Sequence, residues 1–266
     1  MTESSSSFLR IFRTAWQRFF RIPAPDARTK KRLSPADLSL VVPVTPLAGA
    51  AAGLLIWIAL VLAERLAGPT ASAILGAAVI PPVLEYASGE RGIRALFAFL
   101  RMREQGYSPM EILSAGLDAE DGSGPLILPE KLLLPAVLLL FRSCLYAVIC
   151  LRSGGIWFLF TWTGVFLLFA ELSLLPDRTT GRIPFPVREN GRNLHIFCAA
   201  GVFLIAGLAV RDLLAAGIGF FASWGLAYGA SVLQRRADGR TDRALTALYG
   251  LGAEILLLFL GILLHA

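Results

Sequence analysis

The chain has 266 residues, of which 56% are hydrophobic and 17% charged, and its formal net charge is +6. A soluble domain usually carries about 25% charged residues, so this composition argues against an ordinary soluble protein and favours contact with lipid. The excess of Lys and Arg is typical of cytoplasmic loops that face anionic lipid, and we expect no nucleic-acid partner. The three cysteines have neither paired nor metal-type spacing, which predicts no disulfide framework or zinc site.

The first predicted element is an amphipathic helix close to the N-terminus. Its apolar side chains recur at helical spacing while its arginines lie off that stripe, as is typical of a helix in the membrane interface. The stripe comprises Phe8, Ile11, Phe12, Ala15, Phe19 and Ile22, and the arginines are Arg10, Arg13 and Arg18. Pro23 and Pro25 end it. We therefore expect residues 1–40 to form an N-terminal amphipathic helix and a basic cytoplasmic segment, without a cleaved signal peptide.

Apolar stretches long enough to cross a membrane occupy most of the remaining sequence. A helical span needs about 20 mostly apolar residues. The predicted spans are 41–63, 70–86, 132–151, 155–175, 195–211, 213–233 and 244–264. This pattern predicts an all-α fold, a polytopic membrane helix bundle of about seven transmembrane helices, with residues 41–266 as a single transmembrane domain. The weakest division is at Arg211 and Asp212, which could instead pair inside one bent hairpin.

Short connections alternate with longer charged ones at 87–131, 177–194 and 234–243. Arg and Lys concentrate in the long connections and in the N-terminal segment. With seven spans all of these regions lie on one side, which the positive-inside bias makes the cytoplasm. The sequence thus predicts a cytoplasmic N-terminus and His265 on the opposite side.

Glycines in the first span indicate close helix packing. Gly49 and Gly53 are four residues apart and share one helix face. Small residues at this spacing let a neighbouring membrane helix approach closely.

Four segments of the chain read Arg21-Ile22-Pro23-Ala24-Pro25, Pro46-Leu47-Ala48-Gly49-Ala50-Ala51-Ala52-Gly53, Pro186-Val187-Arg188-Glu189-Asn190-Gly191 and Asp238-Gly239-Arg240-Thr241-Asp242. In this order and at these distances they resemble motifs of the cobalamin synthase family, whose activity is adenosylcobinamide-GDP ribazoletransferase. Residues 21–25 match the family's early R-[IL]-P-x-P, and residues 46–53 match P-L-x-G-x-x-x-G. Residues 186–191 are similar to A-R-E-x-G, and residues 238–245 to D-G-x-T-G-D-x-L. The resemblance covers nearly the whole chain.

Three other segments bear on the resemblance. Residues 120–125 occupy the place of the family's K-D-S-R-x-G, with Asp121 on its aspartate, and Arg142 falls near a lysine of the following helix. Where the family's last motif has a Gly-Asp pair, this chain has Asp242 and Arg243. The family's acidic run, H-x-D-G-x-A-D-x-x-D, corresponds to residues 89–98, where three carboxylates are replaced by Arg91, Ala95 and Ala98.

The resemblance implies a transferase that joins α-ribazole, or its 5′-phosphate, to adenosylcobinamide-GDP and releases GMP. It implies a multi-pass protein of the bacterial inner membrane, Mg²⁺ as cofactor and a possible homo-oligomer. Residue by residue it suggests Asp121, Asp238 and Asp242 as catalytic, with Asp121 and Asp238 holding the metal. Arg188 and Arg243 would bind substrate phosphates.

Alternatives remain open at this stage. These carboxylates and arginines, together with Glu85, could also be charged side chains of solvated loops with no role in catalysis. The missing acidic run suggests a non-catalytic membrane relative that retains the fold and perhaps corrinoid or nucleotide binding, and a small transporter is a third reading. Glu171 and Glu254 lie within apolar spans, where a carboxylate normally faces the bundle interior. His195 begins a span and is expected at the interface.

Overall fold

A computed structural model of the chain describes residues 2–20, 34–88, 91–117, 129–153, 155–185, 191 and 193–265. Over these ranges the fold is all-helical, as the sequence predicts, and the strand-like pairing is a single parallel bridge between Asp177 and Thr241. The helices are α1 (Thr2–Phe19), α2 (Pro35–Leu38), α3 (Val41–Ala67), α4 (Pro69–Ser88), α5 (Arg91–Glu104), α6 (Pro109–Ala115), α7 (Pro129–Ser153), α8 (Trp157–Leu172), α9 (Leu194–Val210), α10 (Leu213–Ala237) and α11 (Arg243–Leu264).

Four of the described helices, α3, α4, α10 and α11, are long and apolar enough to cross a membrane. Two more, α8 and α9, are apolar but have 16 and 17 residues. Large apolar side chains are exposed along these helices, including Leu55, Ile205 and Leu214, each more than half exposed. Such a surface fits lipid contact, because soluble monomers rarely expose large apolar patches. Helices lie at all the predicted span positions, but a count of seven crossings remains a prediction.

The short helix α8 is the centre of the bundle. All of its residues except Leu159 and Glu171 are buried, because α3, α9, α10 and α11 pack around it. Aromatic rings fill the spaces between these helices. Phe160 of α8 stacks on Phe203 of α9 with ring centroids 5.0 Å apart, and the Trp157 Nε1–H donates to the Leu257 carbonyl at 2.6 Å.

The predicted close approach at Gly49 and Gly53 is confirmed. The α3 face that carries these glycines lies directly on the α8 backbone: a Cβ atom added at Gly53 would stand 2.5 Å from the Phe158 carbonyl oxygen, and one at Gly49 would overlap Trp162. The division at Arg211 is confirmed as well. Arg211 adopts a left-handed φ of 59° that ends α9, and the Asp212 carboxylate caps α10 by accepting from the Ala215 amide.

Substitution of these glycines offers a direct test of the packing. We expect Gly53→Ala to lower the free energy of unfolding by about 1–3 kcal/mol, because its Cβ atom meets backbone that cannot move aside easily. Gly252→Ala on α11 is the matched control: nothing lies within 4 Å of its Cβ position, so the better helix propensity of alanine should make it neutral or mildly stabilising. Thermal unfolding in detergent would compare them, and an equal loss in both variants would contradict the packing argument.

The N-terminal helix forms as predicted, but its apolar stripe packs on the bundle. Ile11 and Ala15 are buried, and α1 lies against α3. Its rings form a chain from Phe12 through Trp16 to Phe20, and Phe20 in turn contacts Phe166 of α8. The apolar stripe thus has a structural role, while the interfacial position predicted from the arginines stays a prediction.

The long connection 87–131 contains two helices, α5 and α6, that the hydropathy pattern does not predict. They form a small second core in which Ala95, Ile112 and Leu117 pack with Ala244 and Leu245 at the start of α11. A capping box begins α6: the Ser108 hydroxyl accepts from the Glu111 amide, and the Glu111 carboxylate accepts from the Ser108 amide at 2.6 Å.

A π-helical turn, Leu75–Val79, interrupts α4. It directly precedes Pro81 and Pro82, which lack an amide N–H and crowd the carbonyls one turn earlier. A π turn takes up an extra residue and so changes the face that later residues occupy. Leu84 and Glu85 then face the bundle interior.

Candidate functional site

A half-open pocket lies where the C-terminal ends of α4 and α8 meet the N-terminal end of α11. It extends inward along α11 from Asp242 to Glu254, which are 12 residues apart, or about 18 Å at the rise of an α-helix. Its cavity volume is about 80 Å³, several times what one water molecule needs. The described pocket therefore has room for a small group such as a phosphate, and a larger substrate would extend beyond its mouth.

The floor of the pocket is a buried ion-pair cluster. The Arg142 guanidinium of α7 donates to Glu254 of α11 at 2.9 Å and to Glu85 of α4 at 3.2 Å. The Tyr146 hydroxyl donates to the same Glu254 oxygen at 2.6 Å, and the Ile93 amide at the start of α5 donates to Glu85 at 3.1 Å. Buried charges persist when they are paired and hydrogen-bonded, so this cluster ties four helices together at the pocket floor.

One wall of the pocket is aromatic. Phe20, which follows α1, lies 6.1 Å from the Trp162 ring and 5.7 Å from the Phe166 ring of α8, measured between centroids. Phe169 continues this wall along α8. Aromatic faces of this kind can pack against a planar ring of a ligand.

The mouth of the pocket is built from two loops that pair through their backbones. The Arg178 amide donates to the Thr241 carbonyl at 2.8 Å, and the Thr241 amide donates to the Pro176 carbonyl at 3.0 Å. This pairing sets Asp177 beside Asp242 and Arg243 on the pocket wall. Arg243 is exposed, and no described residue forms an ion pair or side-chain hydrogen bond with its guanidinium.

Arg178 organises the acidic residues next to the mouth. Its guanidinium lies 2.9 Å from the Asp238 carboxylate and 3.9 Å from that of Asp242. It also donates to the carbonyls of Leu113, at 3.0 Å, and Ser114 at the end of α6. Gly116 follows at a φ of 86° and leaves no room for a Cβ atom against Arg178 and Asp242. The guanidinium thus joins α6 to the loop before α11.

Asp242 has the geometry of a helix cap. One carboxylate oxygen accepts from the Leu245 amide at 2.6 Å, which caps α11, and the other accepts from the Leu117 amide at 2.9 Å. Burial raises the pKa of this carboxyl, against the opposing effect of these amides and of Arg178. Burial also acts to raise the pKa of Asp177, but hydrogen bonds from Thr179 and Thr180 outweigh it and hold that pKa below its usual value.

The predicted site residues have different outcomes. Asp121 and Arg188 lie outside the described residues. Asp238 and Asp242 are brought close together, but through Arg178 rather than around an open metal position. Arg243 lines the pocket, and its phosphate-binding role stays a prediction. The reading as solvated loop charges is wrong for Glu85, which is 8% exposed and paired with Arg142.

The resemblance implies Mg²⁺, which needs several carboxylate or other oxygen ligands. Across the part of the chain that the structure describes, no group of three or more His, Cys, Asp or Glu side chains could hold a metal ion. The carboxylates at the floor bind Arg142, and those beside the mouth bind Arg178 and backbone amides. The described residues therefore do not fit a bound divalent cation.

The buried His195 side chain pairs with the partly buried Glu171, away from this pocket. The His195 Nε2 atom lies 3.0 Å from the Glu171 carboxylate, and Arg235 lies 3.9 Å from it. His195 is 1% exposed and therefore lies inside the protein, while its position at the membrane interface stays a prediction. The Glu171 carboxylate faces this buried imidazole, as expected for a carboxylate within an apolar span. Together with Arg235, the pair links α8, α9 and α10 near one end of the bundle.

Sequence reasoning did not single out Tyr146, Asp177 or Arg178. Arg142 and Glu254 could be recognised because ionisable residues inside apolar spans usually mark paired or functional positions. Asp177 and Arg178 had no such signal, since they lie in a charged loop. Their role depends on the backbone pairing with Thr241, which joins segments more than 60 residues apart.

No protein-family model, curated protein or solved structure matches this chain. The resemblance to the cobalamin synthase family therefore rests on the motif residues alone.

Proposed function

We propose that this chain is a bundle of about seven membrane spans whose pocket faces the cytoplasm, and that it acts as a divergent cobalamin-synthase-like transferase. It would join α-ribazole or its 5′-phosphate to adenosylcobinamide-GDP at the inner membrane of a bacterium. The long basic connections 87–131, 177–194 and 234–243 support this orientation, because the pocket lies at the helix ends that they join.

The observation that carries the proposal is the convergence of the motif-bearing segments. Phe20 directly precedes the R-I-P-A-P segment, Arg91 lies in the segment aligned with the acidic run, and Arg142 falls near a lysine of the family. Asp242 and Arg243 belong to the last motif. All five residues line the same pocket although they are spread over more than 220 positions of the sequence. Solvated loop charges alone would not explain this convergence.

In the transfer, a ribazole hydroxyl oxygen would bond to the cobinamide-bearing phosphorus, and the bond from that phosphorus to the GMP oxygen would break. The described residues suggest how the chain contributes. The Arg243 guanidinium would bind phosphate oxygens at the mouth, and the aromatic wall would pack against a planar ring of a substrate. Asp177 and Asp242 are the carboxylates beside Arg243 that could accept the proton of the attacking hydroxyl.

A non-catalytic membrane relative that binds a nucleotide or corrinoid is the second candidate. It is favoured by the commitment of the described carboxylates to arginines and backbone amides, which leaves few of them for chemistry.

The transferase proposal predicts genetic rescue. Expression of the chain in a strain lacking its own cobalamin synthase should restore cobalamin-dependent growth on cobinamide and the lower-ligand base. Asp121→Ala and Arg243→Ala should each reduce this growth strongly. Arg236→Ala, an exposed arginine one helix earlier that does not line the pocket, is the control and should grow normally.

Absence of rescue, despite confirmed expression in the membrane, would count against the transferase and favour the non-catalytic relative. Rescue that survives Arg243→Ala would instead show that the pocket is not the reaction site.

A further inference from the structure

A guanidinium stands at the pocket floor, where two carboxylates from different helices converge. Glu85 belongs to the last turn of α4 and Glu254 to the middle of α11, and Arg142 reaches both from α7. The three side chains are between 4% and 10% exposed. The segment aligned with the family's acidic run begins four residues after Glu85, and its Arg91 and Gly92 line the same pocket.

Three of the four carboxylate oxygens in this cluster accept from N–H or O–H donors. One Glu85 oxygen accepts from the Ile93 amide and the other from Arg142. The Oε1 atom of Glu254 accepts both from Arg142 and from the Tyr146 hydroxyl. Mg²⁺ needs a nearly octahedral set of oxygen ligands at short distance, and it would have to displace these donors to be held by both carboxylates.

The positive charge of Arg142 also disfavours a divalent cation at the pocket floor. A guanidinium stays protonated in proteins, so a divalent cation beside Arg142 would meet a fixed positive charge in a largely dehydrated site. Arg142 supplies one of the two positive charges that a divalent ion would bring to these carboxylates. Arg91 and Arg243 add further guanidinium groups on the wall and at the mouth of the pocket.

We infer that Arg142 takes the place of a divalent cation in this pocket: its guanidinium holds Glu85 and Glu254 together, and the pocket receives its phosphate ligand through arginines without Mg²⁺. The claim that the ligand is a phosphate rests on the proposed function, whereas the claim that the pocket needs no metal ion does not.

The first measurement titrates the purified full-length protein, in detergent, with Mn²⁺, an ion that can be followed by its electron paramagnetic resonance signal. We expect the wild type to bind Mn²⁺ only substoichiometrically. One equivalent bound to the wild type, and lost in Glu85→Gln or Glu254→Gln, would overturn the inference.

The second measurement uses Arg142→Ala, which leaves two adjacent carboxylates without their cation. We expect this variant to gain a Mn²⁺ site and to unfold at a higher temperature when Mn²⁺ is present, while the wild type and Arg152→Ala do not respond. Arg152 is exposed near the end of the same helix and serves as the matched control. A folded Arg142→Ala variant that neither binds Mn²⁺ nor unfolds at a higher temperature in its presence would contradict the inference. If the variant cannot be purified, the wild-type titration decides.

The third measurement follows GDP binding by equilibrium dialysis, in EDTA and in Mg²⁺. We expect the dissociation constants to differ by less than about threefold, since arginines bind the phosphates directly. Binding that requires Mg²⁺ would overturn the inference. Binding in neither buffer would count against the proposed function, whereas the Mn²⁺ titration would still decide the role of Arg142.

Discussion

Arg142→Ala is expected to lower the free energy of unfolding by about 3–5 kcal/mol, a large share of the stability of most proteins. The substitution removes the cation between Glu85 and Glu254 and leaves both carboxylates buried without a charge partner. It also removes the ion pair between α7 and α4, while α7 keeps its hydrogen bond to α11 through the Tyr146 hydroxyl. Thermal or denaturant unfolding of the detergent-solubilised protein, without added divalent cations, would measure the loss.

Arg152→Ala is the control for this substitution, because it removes the same side chain from an exposed position of α7. Its effect should stay within about 0.5 kcal/mol of zero. Equal stability of the two variants would show that the ion-pair cluster contributes nothing to the bundle, and it would remove the structural basis for the role assigned to Arg142.

Asp242→Ala is expected to lower the free energy of unfolding by about 1.5–5 kcal/mol. About 0.5–2 kcal/mol comes from the lost cap of α11, and about 1–3 kcal/mol from the Leu117 amide, which is buried and left without its acceptor. Unfolding measured in detergent, with helix content followed by circular dichroism, would detect the change.

Asp238→Ala provides the comparison for Asp242. Asp238 pairs with Arg178, but both side chains are more than 20% exposed, and such pairs contribute about 0–1 kcal/mol. Asp242→Ala should therefore be clearly the more destabilising of the two. The reverse order would mean that Asp242 does not hold α6 and α11 together, and it would return Asp242 to a purely chemical role.

Much of the fold follows from local sequence patterns. Long apolar runs are separated by charged or left-handed turns, and each run forms a helix in the structure; the break at Arg211 is an example. Gly49 and Gly53 showed which face of α3 packs closely, since small side chains on one face permit backbone contact. The helices α5 and α6 were not predicted, because they are short, carry arginines and are stabilised by contacts with α11.

The candidate site was predictable only in part. Charges inside apolar spans drew attention to Glu254, and the motif resemblance drew attention to Arg142, Asp242 and Arg243. Neither signal shows which charges pair. Asp238 was expected to hold a metal and Asp242 to act in catalysis, yet both carboxylates lie beside the Arg178 guanidinium. The same guanidinium donates to two carbonyls of α6.

The sequence by itself determined that this is an all-helical, lipid-compatible chain with basic connections, because hydrophobic length and charge are properties of local segments. Only the tertiary structure decided how its ionisable residues are used. Glu85, Arg142 and Glu254 are 57 to 169 positions apart in sequence and meet because their helices pack together. In a buried, weakly polar interior each charge must be bonded to a partner, and the packing of the helices determines which partner that is.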